Sequence, residues 1–105
     1  MKKNIVLFCA SGMSTSLFVE KMKKAAESLN FDCEINAYGM AKVKQYGPSA
    51  DMILLGPQIR FNLNDVKSKC PGVIVESIDM MDYGTLNGEK VMRHVIDVLN
   101  ERGEK

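Results

Sequence analysis

The chain has 105 residues, 46% of them apolar and 26% charged, the composition of a folded globular protein rather than a disordered or fibrous one. It is long enough for one compact domain, residues 1–105, and too short for two, and a chain this size hides roughly 60–70% of its unfolded surface without help from disulfides or a structural metal. Fourteen Lys and Arg against thirteen Asp and Glu leave a net charge of +1, which argues against broad, non-specific attachment to nucleic acid or anionic lipid.

Ile5 to Phe8 is a continuous apolar run, the pattern of a strand covered on both faces. The lysines before it imitate a signal peptide, but the run ends at Ala10, at or below the lower limit for one. No stretch approaches the ~20 apolar residues of a membrane span. The expectation is a cytoplasmic protein with reduced thiols and no direct membrane insertion. From Leu17 to Leu29 apolar residues recur at helical spacing, with Glu20, Lys21, Lys23, Lys24 and Glu27 on the wet side. Phe31 to Ala37 alternates strictly and predicts a half-exposed strand at a sheet edge. Met40 to Tyr46 is a short helix stopped by Gly47-Pro48. Asp51 to Leu55 is a second buried strand, ended by Gly56-Pro57. Ile59 to Lys69 is a helix terminated by Pro71-Gly72. Val73 to Glu76 is the fourth strand. After Gly88, apolar positions 91, 92, 95, 96 and 99 define the cleanest amphipathic helix.

Strands alternating with helices predict right-handed crossovers and an α/β fold: a four-stranded parallel sheet with helices on both faces. The alternating second strand belongs at an edge and the doubly apolar first and third belong inside, which gives the order 2-1-3-4. The chain then reverses direction between strands 1 and 3. Ligands of such sheets bind outside the carboxyl ends of the strands at that switch point. The loops that line it are Cys9 to Ser14 and Gly56 to Ile59.

The first of these loops reads Cys9-Ala10-Ser11-Gly12-Met13-Ser14-Thr15-Ser16. Small residues turning into a helix present backbone N–H groups to an anion, and the helix N-terminus adds positive potential. The same field favours a thiolate on Cys9. A thiolate beside an oxyanion cradle suits phosphoryl transfer through sulfur, with Cys9 as nucleophile and the loop amides holding the phosphoryl oxygens. Ser14 or Thr15 also serves as N-cap of the following helix.

Several rival chemistries lack their residues. The loop has no Gly-Lys-Ser/Thr for a nucleotide and no G-x-G-x-x-G for a dinucleotide. A receiver domain needs acids where Cys9-Ala10 and Leu55-Gly56 stand. A low-molecular-weight tyrosine phosphatase or arsenate reductase carries an Arg six positions after its loop cysteine to clamp the phosphoryl oxygens. Thr15 stands there, and the only arginines are Arg60, Arg93 and Arg102. With no Arg clamp and no base for water, a phosphocysteine here persists, which suits a carrier. Cys33 and Cys70 read as structural. With three cysteines and one histidine at no metal-knuckle spacing, neither a metal nor a cofactor is expected. His94 falls with Lys90, Asp97 and Glu101 on the wet face of the last helix.

The segment from Ile5 to Ser16 resembles the start of the enzyme IIB components of the phosphoenolpyruvate-dependent sugar phosphotransferase system, lactose/cellobiose (chitobiose) family. Ala50-Asp51-Met52-Ile53-Leu54-Leu55-Gly56-Pro57-Gln58-Ile59 is a second match, and Ile78-Asp79 through Tyr83-Gly84 a looser third. The resemblance implies a phosphocysteine carrier. Cys9 takes a phosphoryl group from a histidine of a IIA protein and passes it to a sugar held by the membrane IIC transporter, a β-linked disaccharide such as cellobiose, chitobiose or lactose. It also implies phosphate contacts from Ala10 through Ser16, with Gln58, Asp79 and Tyr83 as weaker candidates. Gln58 has capping of the third helix as its alternative role. The expected partners are IIA and IIC, with no nucleic acid, and the chain is expected to be a monomer. A non-catalytic regulatory domain on the same fold is the competing reading. Met13, Met40, Met80 and Met81 all fall in or next to the loops after strands 1, 2 and 4, and Met13, with Met80 or Met81, is expected to form a soft apolar rim around the phosphate loop. Inward packing is the equal alternative for Met40 and Met80.

Overall fold

A computed structural model describes residues 2–10 and 16–103. Seven residues, Lys3–Cys9, form β1, followed by α1 (Ser16–Ser28), β2 (Cys33–Gly39), the short α2 (Val43–Tyr46), β3 (Met52–Leu55), α3 (Leu63–Lys69), β4 (Ile74–Ser77), α4 (Met80–Gly84) and α5 (Gly88–Gly103). The four strands form one parallel sheet in the order β2-β1-β3-β4, as the alternation of β2 and the double burial of β1 and β3 require. β1 pairs along its whole length with β2, from Lys3 with Cys33 to Cys9 with Gly39. On its other side Ile5 to Phe8 pair with Met52 to Leu55.

The alternation of side chains along β1 divides the core in two. Ile5 and Leu7 join Phe18, Met22, Met92 and Val95 in the larger layer under α1 and α5. Val6 and Phe8 join Val43, Ile53, Leu55 and Val66 under α2 and α3. Both faces of β1 and β3 are therefore dry, which is why these strands read as unbroken apolar runs.

Two elements differ from the sequence expectation. The segment after β3 is not one helix: a 3-10 segment runs over Pro57–Asn62 and kinks at Ile59 (φ −117°, ψ 23°) before α3 begins at Leu63. Pro57 fits the first turn, but a 3-10 segment runs easily only for a few residues. The second difference is α4, a single turn with no apolar periodicity to announce it. Its cap forms it: Asp79 Oδ2 accepts from the N–H groups of Met81 (3.0 Å) and Asp82 (3.2 Å). Asp82 in turn pairs with Lys90 of α5 at 3.2 Å.

Candidate functional site

Cys9 is the last residue of β1 and is buried. Its strand partner on the β2 side is Gly39. On the β3 side the chain turns at Gly56, whose N–H donates to the Phe8 carbonyl at 2.9 Å. A glycine therefore flanks Cys9 on each neighbouring strand end. At Gly56 a Cβ would stand 3.6 Å from Cys9 Cβ and 3.3 Å from Gln58 Oε1. The structure thus brings Cys9 and the Gln58 amide oxygen to the space that a Gly56 side chain would occupy, at the switch point. Ala10, the first residue past the strand, is exposed, as are Ser16 at the start of α1 and Gln58. Ser11, Gly12, Met13, Ser14 and Thr15 lie outside the described residues, as does the expected N-cap of α1.

The other residues that the sequence singled out make contacts within the fold. Asp79 is the cap of α4, and the Tyr83 ring packs against Phe18 with centroids 5.2 Å apart. Cys70 is buried against Gly47, where a Cβ would come within 2.5 Å of its Sγ. Cys33 packs half-buried at the margin of the larger core. Desolvation pushes the Cys33 thiol above its ordinary range, with Asp32 adding to the rise and Lys2 opposing it. Desolvation likewise raises Cys70 against the pull of Lys69. Both are therefore thiols at neutral pH, and a protonated sulfur is a poor nucleophile. In a Cys9→Ser background, alkylation of Cys33 and Cys70 by iodoacetamide at pH 7 is expected to run roughly tenfold or more slower than that of cysteine in water. Modification at the rate of the amino acid contradicts their structural role.

His94 is exposed on α5 as expected, but it is not merely solvated: its Nε2 lies 2.6 Å from Glu76 Oε1. The methionines divide. Met80 and Met81 are exposed, while Met40 packs against the smaller core, so the inward alternative holds for Met40 and fails for Met80. Among the described residues no three His, Cys, Asp or Glu side chains converge as a metal site, and no helix is long and apolar enough to cross a membrane.

Comparison with known proteins identifies the family. A family model described as the lactose/cellobiose-specific IIB subunit of the PTS system matches residues 4–94. The oligo-beta-mannoside-specific EIIB component of Bacillus subtilis is 40% identical over 99 residues, covering 92% of this chain and 96% of its own. The cellobiose-specific EIIB component of Lactococcus lactis subsp. lactis is 41% identical over 105 residues, covering 93% and 97%. The solution structure of a cellobiose-specific phosphotransferase IIB component from Borrelia burgdorferi superposes with a TM-score of 0.79 at 37% identity, covering 96% of this chain and 94% of that one. The family match spans the sheet from β1 to α5 and includes both Cys9 and Gln58, and the chain belongs to the lactose/cellobiose-specific IIB subunits of the sugar phosphotransferase system.

Proposed function

We propose that this chain is the phosphocysteine carrier of a sugar phosphotransferase system, with Cys9 as the acceptor. The Cys9 thiolate attacks the phosphorus of a phosphohistidine on a IIA protein. The P–S bond forms as the P–N bond breaks, and the departing imidazole takes up a proton. In the second step a sugar hydroxyl, giving up its proton, attacks the phosphorus, the S–P bond breaks and the thiolate is restored. The sugar is held by a membrane IIC transporter. A β-linked disaccharide is the substrate class, supported by the cellobiose and oligo-beta-mannoside systems for which the relatives are named.

The observation that carries this reading is the position of Cys9. It ends an inner strand at the switch point, with Gly39 and Gly56 on its flanks and no neighbouring side chain on those two residues to block a phosphoryl group. In this reading the backbone N–H groups of the Ala10–Ser16 loop donate to the equatorial oxygens and Gln58 adds its amide; the proximity of Gln58 and Cys9 at Gly56 supports the latter. Incubating the chain with a phosphorylated IIA protein of the lactose/cellobiose branch tests the reading. The expected result is a gain of the mass of one phosphoryl group. An unchanged mass overturns it.

The phosphatase alternative needs an arginine at the phosphoryl group. Arg60, the only arginine following a strand end, is otherwise engaged: Nη1 donates to the Pro57 carbonyl at 3.1 Å and the guanidinium lies 4.4 Å from the Phe61 ring centre. Arg93 pairs with Glu89 along α5. Hydrolysis of p-nitrophenyl phosphate is therefore expected to be no faster than in buffer. Sustained turnover contradicts the carrier assignment.

A further inference from the structure

The exposed large apolar side chains among the described residues are Leu17, Phe61, Met80 and Met81. Each lies in a connection that leaves the carboxyl end of a strand: Leu17 after β1, Phe61 after β3, the two methionines after β4. The connection after β2 contributes none, because Met40 packs inward. Exposed apolar side chains therefore follow β1, β3 and β4 at the carboxyl end of the sheet, and only Met80 and Met81 are neighbours in sequence. They are far from marginal, at 82% exposure for Phe61, 72% for Met81 and 63% for Met80. The adjacent pair Met80 and Met81 at the start of α4 marks an interaction surface.

Charge distinguishes the β4 end of this face. A groove of about 270 Å³ opens there, floored by Leu54, Ile78 and Val91. Its walls carry three carboxylates, Glu76, Asp79 and Asp82, against Lys90 and His94. Lys90 is matched to Asp82 and His94 to Glu76. Asp79 is held by backbone N–H groups, which bring no cation. The groove beside Met80 and Met81 thus carries an excess of negative charge, although the chain as a whole is +1.

We propose that this face, with Met80 and Met81 at its acidic end, docks the cytoplasmic loops of the membrane IIC transporter. The inference rests on the carrier reading and adds which partner this end of the molecule meets. Cytoplasmic loops of membrane proteins carry an excess of Lys and Arg. An apolar lip edged with surplus carboxylate complements an apolar side chain flanked by such cations. Methionine is flexible enough to follow the shape of its partner. The face also shares the strand-end edge with Cys9, where the sugar must arrive.

Sedimentation of the full chain with inverted membrane vesicles carrying a cellobiose-specific IIC transporter tests this, with vesicles lacking the transporter as the control. Binding is expected only with the transporter present and is expected to weaken with salt. Met80→Ser with Met81→Ser is expected to lose roughly tenfold in affinity. Glu76→Gln with Asp82→Asn is expected to lose most of the salt dependence. Both variants are expected to acquire phosphoryl from phosphorylated IIA within about twofold of the parent rate, which also reports that they fold. Equal binding to transporter-free vesicles, parental binding by both variants, or loss of the donor step along with docking overturns the inference. Failure of the carrier reading is separate: the parent chain would then acquire no phosphoryl group, whatever its binding to vesicles.

Discussion

Changing Cys9 to serine is expected to abolish phosphoryl transfer while leaving the fold in place. The effect on rate is at least on the order of 10⁴-fold, the scale seen when a covalent nucleophile is removed. A serine hydroxyl is essentially un-ionised near neutrality, where a thiolate is favoured, and is the weaker nucleophile. The structural cost is small. The hydroxyl is slightly smaller than the thiol and sits beside Gly39 and Gly56 at the end of β1. Burying it costs about 1 kcal/mol if it finds one hydrogen bond. Single-turnover transfer from phosphorylated IIA, read beside a thermal melt, separates the two quantities. Transfer by the variant above about one hundredth of the parent rate contradicts the role of Cys9.

The largest expected effect on stability lies at Gly88, where α5 meets α1. There the first turn of α5 crosses α1 so closely that a Cβ would stand 2.6 Å from the backbone carbon of Lys21 and 2.7 Å from the Met22 nitrogen. These are backbone atoms in a helix and cannot move aside singly. Gly88→Ala must lift α5 away from α1, opening the layer that contains Phe18, Met22, Met92 and Val95. Overpacking of this kind costs about 3 kcal/mol, or roughly 12 °C in melting temperature for a domain of this size. Helix propensity favours alanine by about 1 kcal/mol, so an unchanged or raised melting temperature would show that the two helices are not locked at this crossing. Gly84, where a Cβ meets nothing within 4 Å, serves as the control.

The sheet was legible because its physics is one-dimensional. Ile5 to Phe8 and Met52 to Leu55 are apolar on both faces and can only be inner strands, and the alternation from Phe31 leaves β2 at an edge. Strand ends were less so: Lys3, Asn4 and Gly39 carry no apolar signal, yet they pair because the β1–β2 ladder continues through them. The single turn α4 had only the Asp79 cap to announce it, and its second support, the Asp82–Lys90 pair, spans eight residues of sequence. The site divides in the same way. Cys9 could be placed from a strand ending in a small-residue turn. That Gln58 and Cys9 meet at the open side of Gly56 depends on the 3-10 segment over Pro57–Asn62, where the sequence predicts a helix beginning at Ile59. The contact between His94 and Glu76 joins α5 to β4, and no pattern within either element foretells it.

The central claim is that the phosphoryl group resides on one sulfur. Peptide mapping of the chain after brief exposure to phosphorylated IIA addresses it directly, under conditions that preserve thiophosphate esters. A single modified peptide is expected, the one containing Cys9, and it is expected to return to the unmodified form when a IIC transporter and a β-linked disaccharide are added. A phosphoryl group on His94, Cys33, Cys70 or any other residue, or a modified Cys9 that does not discharge to sugar, contradicts it.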